Sequence, residues 1–286
     1  MIKKPRVVIV GAGSLAHSLA LALRESAYTI TEIISRDSAV SRQRARRLAV
    51  KAGARVATNR GAGLDGELLW FCVPDGEIRR AAKSLALRAP STGVRFAFHS
   101  SGALGSGELE ALRAAGIAVA SVHPLMTFVR GAQPSFAGVP VALEGDAAAV
   151  KVARRIVRDL GGESFLLPAR RKAAYHAWAT MTSPLLVAYL VTLEAAARAA
   201  GLARADARRM SLPIMRETIE NCARLGPADS FSGPFVRGDR ATVAKHLALL
   251  WNNPRARAVY MALARAALAW LPVRNRKELR QLLEDC

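Results

Sequence analysis

Short apolar runs alternate with segments of helical period over the first 168 residues. The clearest run is Val7 to Val10, four consecutive β-branched residues that predict a strand buried on both faces. Leu15, Leu19 and Leu23 follow at helical spacing. Further runs predict strands over 29–35, 55–58, 67–73, 94–98, 117–122, 139–143 and 164–167. This alternation predicts an α/β fold with a doubly wound, Rossmann-type sheet.

Beyond Pro168 the pattern becomes entirely helical. Helical periods cover 170–200, 204–225, 241–251, 254–270 and 277–283, and Pro184 marks an expected kink in the first of them. We therefore expect two domains, an α/β domain over residues 1–168 and an all-α domain over residues 169–286. The most apolar stretch, Pro184 to Leu193, predicts a helix that is buried in a bundle or between subunits.

A glycine-rich turn joins the first predicted strand to the first predicted helix. Gly11 permits a tight turn, and Gly13 has no Cβ, so a phosphate can approach the backbone there. The helix that follows offers free N–H groups at its N-terminus. These features predict a dinucleotide pyrophosphate site that consists of Gly11, Ala12, Gly13, Ser14 and Leu15. The alternative is an ordinary turn between a strand and a helix.

The end of the second predicted strand indicates which dinucleotide is bound. Enzymes that prefer NAD usually carry an acidic residue there, which binds the ribose 2′-hydroxyl. Ser35 and Arg36 occupy these positions, and a hydroxyl and a guanidinium suit a 2′-phosphate. The sequence therefore favours NADP, with Arg42 as a further candidate contact. A register shifted by two residues would instead make Asp37 an NAD-type acid.

Polar residues also follow other predicted strands, at the sheet edge where doubly wound proteins bind their ligands. Further cofactor contacts are expected from Val73, Pro74, His99 and Ser100. Ser101 is a candidate catalytic residue, and His123 is a candidate for contact with the substrate. The alternative is that the serines are ordinary turn residues.

Two features of the helical part have the chemistry of a site. Lys172 and His176 are four residues apart and share a helix face. A lysine there could polarise a carbonyl or an imine, or transfer a proton, so both residues are candidates for catalysis. Arg237, in a loop that contains glycines, is a candidate for binding an anionic substrate. The alternatives are an exposed helix lysine and a structural helix–helix connection.

The composition adds a strong positive charge. The chain has 286 residues, of which 51% are hydrophobic, and a formal net charge of +20. However, the basic residues are scattered, and neither a basic tail nor an aromatic-rich basic strand is present. Specific nucleic-acid binding is therefore not expected, whereas a positive field would attract an anionic ligand such as a phosphorylated cofactor.

The three cysteines, Cys72, Cys222 and Cys286, form no CxxC pair and predict neither a zinc site nor a disulfide framework. No other metal site is expected. No stretch is expected to reach the roughly 20 apolar residues of a membrane span, and polar residues interrupt the apolar start of the chain. These features predict a cytoplasmic protein without a membrane anchor.

The motifs also occur in a characteristic order. Gly11-Ala12-Gly13, 73–75, 99–103, 122–125, 172–176 and 232–239 together resemble a bacterial family with a Rossmann-like NADP-binding domain and a helical domain of unknown function. That family is similar to pyrroline-5-carboxylate reductase, ketopantoate reductase and the 6-phosphogluconate and β-hydroxyacid dehydrogenases. The resemblance implies a homodimer formed through a helical domain like the C-terminal domain of 6-phosphogluconate dehydrogenase. It also implies a catalytic lysine at Lys172, although the similar enzymes usually have an asparagine where this chain has His176.

We therefore expect an NADPH-dependent oxidoreductase that transfers a hydride to or from a small carbonyl, imine or hydroxy-acid substrate between the two domains. In this hypothesis Lys172, together with His176, stabilises developing negative charge or supplies a proton. One alternative is a redox sensor or scaffold that binds NADP without turnover. Another is a deazaflavin-linked oxidoreductase, because some of the similar enzymes pair NADP with that cofactor.

Overall fold

A computed structural model gives the fold of the chain and describes residues 4–132 and 134–285. The chain divides into two compact units, Met1–Thr180 and Met181–Cys286. The first unit extends past the boundary expected at Pro168, and it includes a short 3₁₀ turn, Ala169–Arg171, and most of the helix that follows. Cys72 and Cys222 are free thiols, and Cys286 lies outside the described residues.

The first unit is built on an eight-stranded sheet with the order β3-β2-β1-β4-β5-β6-β7-β8. The strands are β1 (Val7–Val10), β2 (Ile30–Ser35), β3 (Arg55–Thr58), β4 (Leu68–Phe71), β5 (Phe96–His99), β6 (Ala118–Pro124), β7 (Pro140–Gly145) and β8 (Glu163–Leu166). The first six strands are parallel, and the chain changes direction across the sheet between β1 and β4. The predicted doubly wound fold is confirmed, and its strand ends meet at one edge.

Helices pack on both faces of this sheet. They are α1 (Ser14–Glu25), α2 (Ala39–Ala52), α3 (Asp75–Ala86), α4 (Glu110–Ala114) and α5 (Ala147–Asp159). The next helix, α6 (Lys172–Thr182), begins in the first unit and ends in the second. Val7 and Ile9 of β1 belong to the core on the side of α1, α2 and α5, whereas Val8 and Val10 belong to the core on the side of α3 and α4. Because both faces are buried, the strand is apolar at every position, as the sequence predicted.

The last two strands depart from a parallel sheet. β7 pairs antiparallel to β6, and β8 pairs parallel to β7. Ser121 of β6 thereby lies opposite Glu144 of β7. Hydrophobic periodicity does not encode strand direction, so the sequence did not predict this pairing. It brings a carboxylate to the polar end of β6.

The turn after β1 requires glycine at its first position. Gly11 has a φ of +115°, and a Cβ there would overlap the carbonyl oxygen of Cys72. Gly13 is the extended N-cap residue of α1, and no heavy atom lies within 4 Å of a Cβ built on it. The first glycine therefore allows β1 and the end of β4 to approach closely, and the second leaves open space beside the helix N-terminus.

The second unit is helical, as predicted. Its helices are α7 (Pro184–Ala197), α8 (Arg204–Leu225), α9 (Pro227–Ser230), α10 (Pro234–Arg237), α11 (Arg240–Leu249), α12 (Pro254–Trp270) and α13 (Arg276–Glu284). The kink expected near Pro184 is a break at Ser183, where φ is −131° and ψ is −77°. The predicted loop after α8 contains two single-turn helices, α9 and α10. A core of residues from α11, α12 and α13 includes Val243, Met261 and Leu279.

The apolar surface of α7 is largely uncovered in the single chain. Leu185, Val187 and Val191 are 53%, 58% and 54% exposed, respectively. Burial of this helix within a bundle of its own chain is therefore wrong, whereas burial between subunits stays a prediction. Among the described residues, the helical stretch Ala169–Ala200 contains an 18-residue window with a mean hydropathy of 1.3, so it is long and apolar enough to cross a membrane. This corrects the expectation that no stretch has that length, but an apolar subunit interface has the same composition.

Candidate functional site

Most of the predicted cofactor contacts line one cleft at the carboxyl edge of the sheet. Seven of them are brought together there, namely Gly11, Ala12, Gly13, Ser35, Arg36, Val73 and Pro74. They follow β1, β2 and β4, which are neighbours in the sheet. Ser14 lines an adjoining groove, and Leu15 is half-buried against the core on the α1 side. The cleft thus lies where the glycine turn and the second strand predicted a dinucleotide.

The end of this cleft at β2 is basic. Beside Arg36 it is lined by Ser41 and Arg44 of α2 and by Arg80 of α3. The carboxylate of Glu77, which also lines the cleft, is paired with Arg80. Arg36 and Arg44 therefore face the cleft as guanidinium groups that suit a phosphate.

Asp37, the acidic residue that would indicate an NAD site, lies outside the cofactor cleft. Asp37 is paired with Arg42, and neither side chain lines the cleft. β2 ends at Ser35 and Arg36 follows it, so these two residues, and not Asp37, stand at the strand end. Arg42, the further candidate contact, thus neutralises Asp37 instead of lining the cofactor cleft.

Ser101 holds the turn after β5 against the start of α3. Its hydroxyl donates to the carboxylate of Asp75 at 2.8 Å and accepts from the backbone N–H groups of Ala103 and Leu104 at 3.2 and 3.0 Å. A hydroxyl has one donor and two acceptor positions, so these bonds use all three. The geometry supports a positioning role for Ser101 rather than the predicted catalytic one.

His99 and Ser100, two of the predicted cofactor contacts, also make structural hydrogen bonds. His99 is fully buried; its Nδ1 accepts from the backbone N–H of Ser101 at 3.1 Å, and its Nε2 lies 2.9 Å from the carbonyl oxygen of Gly105. Burial lowers the pKa of His99, so the ring is neutral with its proton on Nε2. Ser100 Oγ accepts from the indole N–H of Trp70 at 2.9 Å. Neither side chain lines the cofactor cleft.

The side chain of Lys172 runs into this polar edge and is 1% exposed. Its ammonium donates to the hydroxyl of Ser121 at 2.7 Å and to the carbonyl oxygen of Ser101 at 3.0 Å. Burial lowers the pKa of Lys172 to about 8, and the more distant carboxylates of Glu144 and Asp75 oppose that shift. The lysine is thus a buried cation that joins the ends of β5 and β6 to the first turn of α6.

A second polar group lies beside Lys172. His123 Nδ1 is 3.0 Å from the hydroxyl oxygen of Tyr175, and the ring of His176 is 6.0 Å from that of His123. All three side chains are partly accessible to solvent. Burial, reinforced by the charge of Lys172, lowers the pKa of His123 to about 4, so its ring is neutral at pH 7. Burial also raises the pKa of Tyr175 to about 12.

Gly102 makes room for the two histidines. A Cβ on Gly102 would overlap the ring of His176 and would lie 2.7 Å from His123 Nε2. A larger residue would push both rings away from the turn after β5. The missing side chain therefore fixes how closely the imidazoles approach this edge of the sheet.

Four of the five residues predicted to act in catalysis or substrate binding lie together in the first unit, and the fifth, Arg237, belongs to the second unit. Lys172, His176, Ser101 and His123 cluster in the first unit, whereas Arg237 is exposed on α10 of the second unit. Four further members of the cluster were not predicted, namely Asp75, Ser121, Glu144 and Tyr175.

Two of these omissions had a signal in the sequence. Tyr175 follows Lys172 by three residues and so shares its helix face, and Ser121 precedes His123 by two residues and so shares its side of the strand. No signal in the sequence indicated Glu144, because its position depends on the antiparallel pairing of β7 with β6.

The depressed pKa of Lys172 predicts how stability changes with pH. The unfolded chain holds this proton up to the ordinary pKa of 10.5, and the folded chain loses it near 8. Between these values the unfolded state binds more protons, so the free energy of unfolding should rise with pH. Relative to Lys172→Met, the wild type should gain about 3 kcal/mol between pH 8 and 10.5 in urea denaturation.

Lys151, an exposed lysine of α5, provides the control. The difference in unfolding free energy between the wild type and Lys151→Met should not change over the same pH range. A constant difference for Lys172→Met as well would show that the buried lysine has an ordinary pKa.

Two family models match the chain, and the second match begins at residue 139, inside the first unit. Residues 1–124 match a Rossmann-like domain, and residues 139–267 match a domain of unknown function, DUF2520. This is the pair of domains that the order of motifs predicted. Among curated proteins, none matches the chain by sequence.

Three solved structures have a similar fold over nearly the whole chain. BF3122 from Bacteroides fragilis, provisionally assigned as an NADP oxidoreductase, is 21% identical, with a TM-score of 0.76, over 93% of this chain and 98% of its own. An imine reductase from Myxococcus stipitatus, solved with NADP+, is 17% identical, with a TM-score of 0.65, over 97% and 99%. Pyrroline-5-carboxylate reductase from Coxiella burnetii is 12% identical, with a TM-score of 0.60, over 99% and 97%. The chain thus combines a Rossmann-like domain and a DUF2520 domain in a fold that these proteins share.

Proposed function

We propose that this protein is an NADP(H)-dependent oxidoreductase that acts on a small substrate with a C=N or C=O group. The observation that carries the proposal is the cleft in which the Gly11–Gly13 turn and the basic end of β2 share one edge of the sheet. The imine reductase of similar fold, solved with NADP+, supports both the cofactor and the reaction class. When bound, the cofactor would supply or accept the hydride.

The residues of the cleft fit a phosphorylated dinucleotide. The open space beside Gly13 and the N-terminus of α1 would hold the pyrophosphate. Ser35, Arg36 and Arg44 would hold the 2′-phosphate, because they present a hydroxyl and two guanidinium groups. Asp37 does not compete for this position, since it is paired with Arg42.

Cofactor preference tests this assignment. We expect fluorescence titration to give at least tenfold tighter binding of NADPH than of NADH, about 1.4 kcal/mol. Arg36→Ala should bring the two affinities close together by weakening NADPH alone. Arg46→Ala is the control and should keep the preference, because Arg46 is an exposed arginine of α2 that does not line the cleft. Tighter binding of NADH, or no binding of either, would contradict the proposal.

We assign proton transfer to Tyr175 and His123. With its proton on Nδ1, the neutral imidazole of His123 donates to the oxygen of Tyr175 at 3.0 Å. The hydroxyl proton of Tyr175 is then directed to the nitrogen or oxygen of the substrate, and the phenolate that remains keeps its hydrogen bond from His123. His176 lies beside this pair. Arg237 belongs to the second unit, and its binding of an anionic group stays a prediction from the sequence.

Lys172 acts on this pair from within the fold. Its ammonium is enclosed and makes hydrogen bonds to Ser101 and Ser121, so in this arrangement it touches no reacting atom. Burial lowers the pKa of His123, and the positive charge of Lys172 adds to that shift, so the imidazole stays neutral beside Tyr175. We therefore propose that Lys172 positions and polarises the site, which differs from the direct role that the resemblance implied.

Removal of the Tyr175 hydroxyl tests the proton assignment. Tyr175→Phe should lower kcat with NADPH and a panel of cyclic imines and 2-oxo acids by about 100-fold or more, because general acid catalysis is lost. The affinity for NADPH should stay within a factor of about two, since the cofactor cleft is unchanged.

The chain contains a matched control for this change. In the second unit, His246 Nδ1 lies 3.0 Å from the hydroxyl of Tyr260, the same hydrogen bond in another place. Tyr260→Phe should leave turnover unchanged. Equal activity of the wild type and Tyr175→Phe would remove Tyr175 from the mechanism.

A second candidate function is an NADP-binding redox sensor without turnover. The enclosure of Lys172 favours it, because the lysine that the resemblance made catalytic is not free to react. Under this alternative the wild type binds NADPH tightly but oxidises none of it with any member of the substrate panel. Turnover that depends on Tyr175 would exclude the sensor.

We also propose a homodimer formed through α7. Leu185, Val187 and Val191 are apolar residues of one helix that are each more than half exposed, and exposed apolar surface typically marks an interaction site. Met181 and Leu186, which belong to the same unit, are also exposed. A second copy of the same surface would cover it without a specialised partner.

Sedimentation at micromolar concentration should show a dimer. The double substitution of Val187 and Val191 by Glu should produce monomers, because it places charges in the proposed interface. Val50→Glu on α2 is the control, since Val50 is 84% exposed and lies in the first unit. A monomeric wild type, or equal loss of the dimer in both variants, would contradict this interface.

A further inference from the structure

A basic groove lies between α1, α2 and the loop after β6. It is lined by His17 of α1, by Gln43, Arg44, Arg47 and Lys51 of α2, and by Arg130 of the loop. No carboxylate is among the described residues that line it. The groove meets the cofactor cleft at Gly13 and Arg44, which line both.

The charges of this groove are not neutralised by the chain itself. Arg44, Arg47, Lys51 and Arg130 are exposed, and none of them forms an ion pair within the part of the chain that the structure describes. Arg47 and Lys51 are four residues apart on α2, and like charges at that spacing destabilise a helix. A concave surface that keeps such charges together attracts anions strongly.

We propose that this groove binds an oligophosphate, a ligand with several linked phosphate groups. One turn of an α-helix rises about 5.4 Å, so Arg44, Arg47 and Lys51 present their charges in a row along α2. Arg130 lines the groove from the loop. Guanidinium groups pair with two phosphate oxygens at once, and a row of cations suits linked phosphates better than a single carboxylate.

The lining favours an oligophosphate over a nucleic acid. Single-stranded nucleic acids are usually bound through bases that stack on aromatic side chains, as well as through the backbone. No aromatic residue is among the described residues that line this groove, apart from the imidazole of His17. The groove therefore offers a short row of positive charges and no aromatic surface on which bases could stack.

The groove extends beyond what the cofactor would use. Under the proposed function, the space beside Gly13, together with Ser35, Arg36 and Arg44, accounts for the phosphates of NADP(H). Arg47 and Lys51 do not line the cofactor cleft. An oligophosphate held by these two residues is thus expected to bind together with NADP(H), and its binding does not require that the protein be an oxidoreductase.

Calorimetric titration of the full chain with inorganic tripolyphosphate tests the proposal. The wild type should bind tripolyphosphate both alone and in saturating NADPH. The double substitution of Arg47 and Lys51 by Glu should weaken this binding at least tenfold while leaving the affinity for NADPH within twofold. Arg46→Glu is the matched control, because Arg46 is an exposed arginine of the same helix that does not line the groove. It should weaken tripolyphosphate binding less than twofold.

Three results would overturn the proposal. Equal weakening by Arg46→Glu and by the double substitution would mean attraction to the net charge alone. Loss of tripolyphosphate binding in saturating NADPH would assign the phosphates to the cofactor cleft. Binding of a ten-nucleotide thymidine strand that tripolyphosphate cannot displace would assign the groove to a nucleic-acid backbone. If the double Glu variant does not fold, replacement of Arg47 and Lys51 by Gln should give the same loss in a milder form.

Discussion

The buried ammonium of Lys172 is the constraint on which the polar edge of the sheet depends. A buried charge is tolerated only where hydrogen bonds compensate for lost water, and here Ser101 and Ser121 supply them from the ends of β5 and β6. Because Lys172 opens α6, the same bonds fix where that helix starts. Tyr175 and His176 follow within the next turn and are carried to His123 by this anchoring.

In the proposed reaction, two regions of the same sheet edge therefore have different roles. At β1, β2 and β4, the cleft offers glycine backbone and guanidinium groups that suit phosphates. At β5 and β6, hydrogen bonds hold His99 and Ser101 in place, and the half-buried pair of Tyr175 and His123 remains available to a substrate. The two regions are distinct because the parallel strands end at one edge of the sheet, while β1, β2 and β4 lie together in the strand order and β5 and β6 lie beside them.

The sequence predicted what depends on local pattern. The glycine turn, the strands and the Ser35-Arg36 end of β2 were found because periodicity and turn chemistry are local properties. The hydrogen bonds that His99 and Ser101 make within the fold were not predicted. A polar residue at a strand end has the same sequence pattern whether it contacts a ligand or a neighbouring backbone group. Glu144 was not predicted, because the antiparallel pairing that places it leaves no trace in the hydrophobic period of the sequence. The exposure of α7 was not predicted either, because an apolar helix has the same sequence pattern inside a bundle and between subunits.

A crystal structure of the protein with NADPH would show where each phosphate lies and which residues face the nicotinamide. We expect the pyrophosphate against the backbone of Gly13 and Ser14, and the 2′-phosphate within hydrogen-bond distance of Ser35 and Arg36. The nicotinamide should lie towards Tyr175 and His123. A dinucleotide bound elsewhere, or a nicotinamide directed away from that pair, would rule out the proposed site.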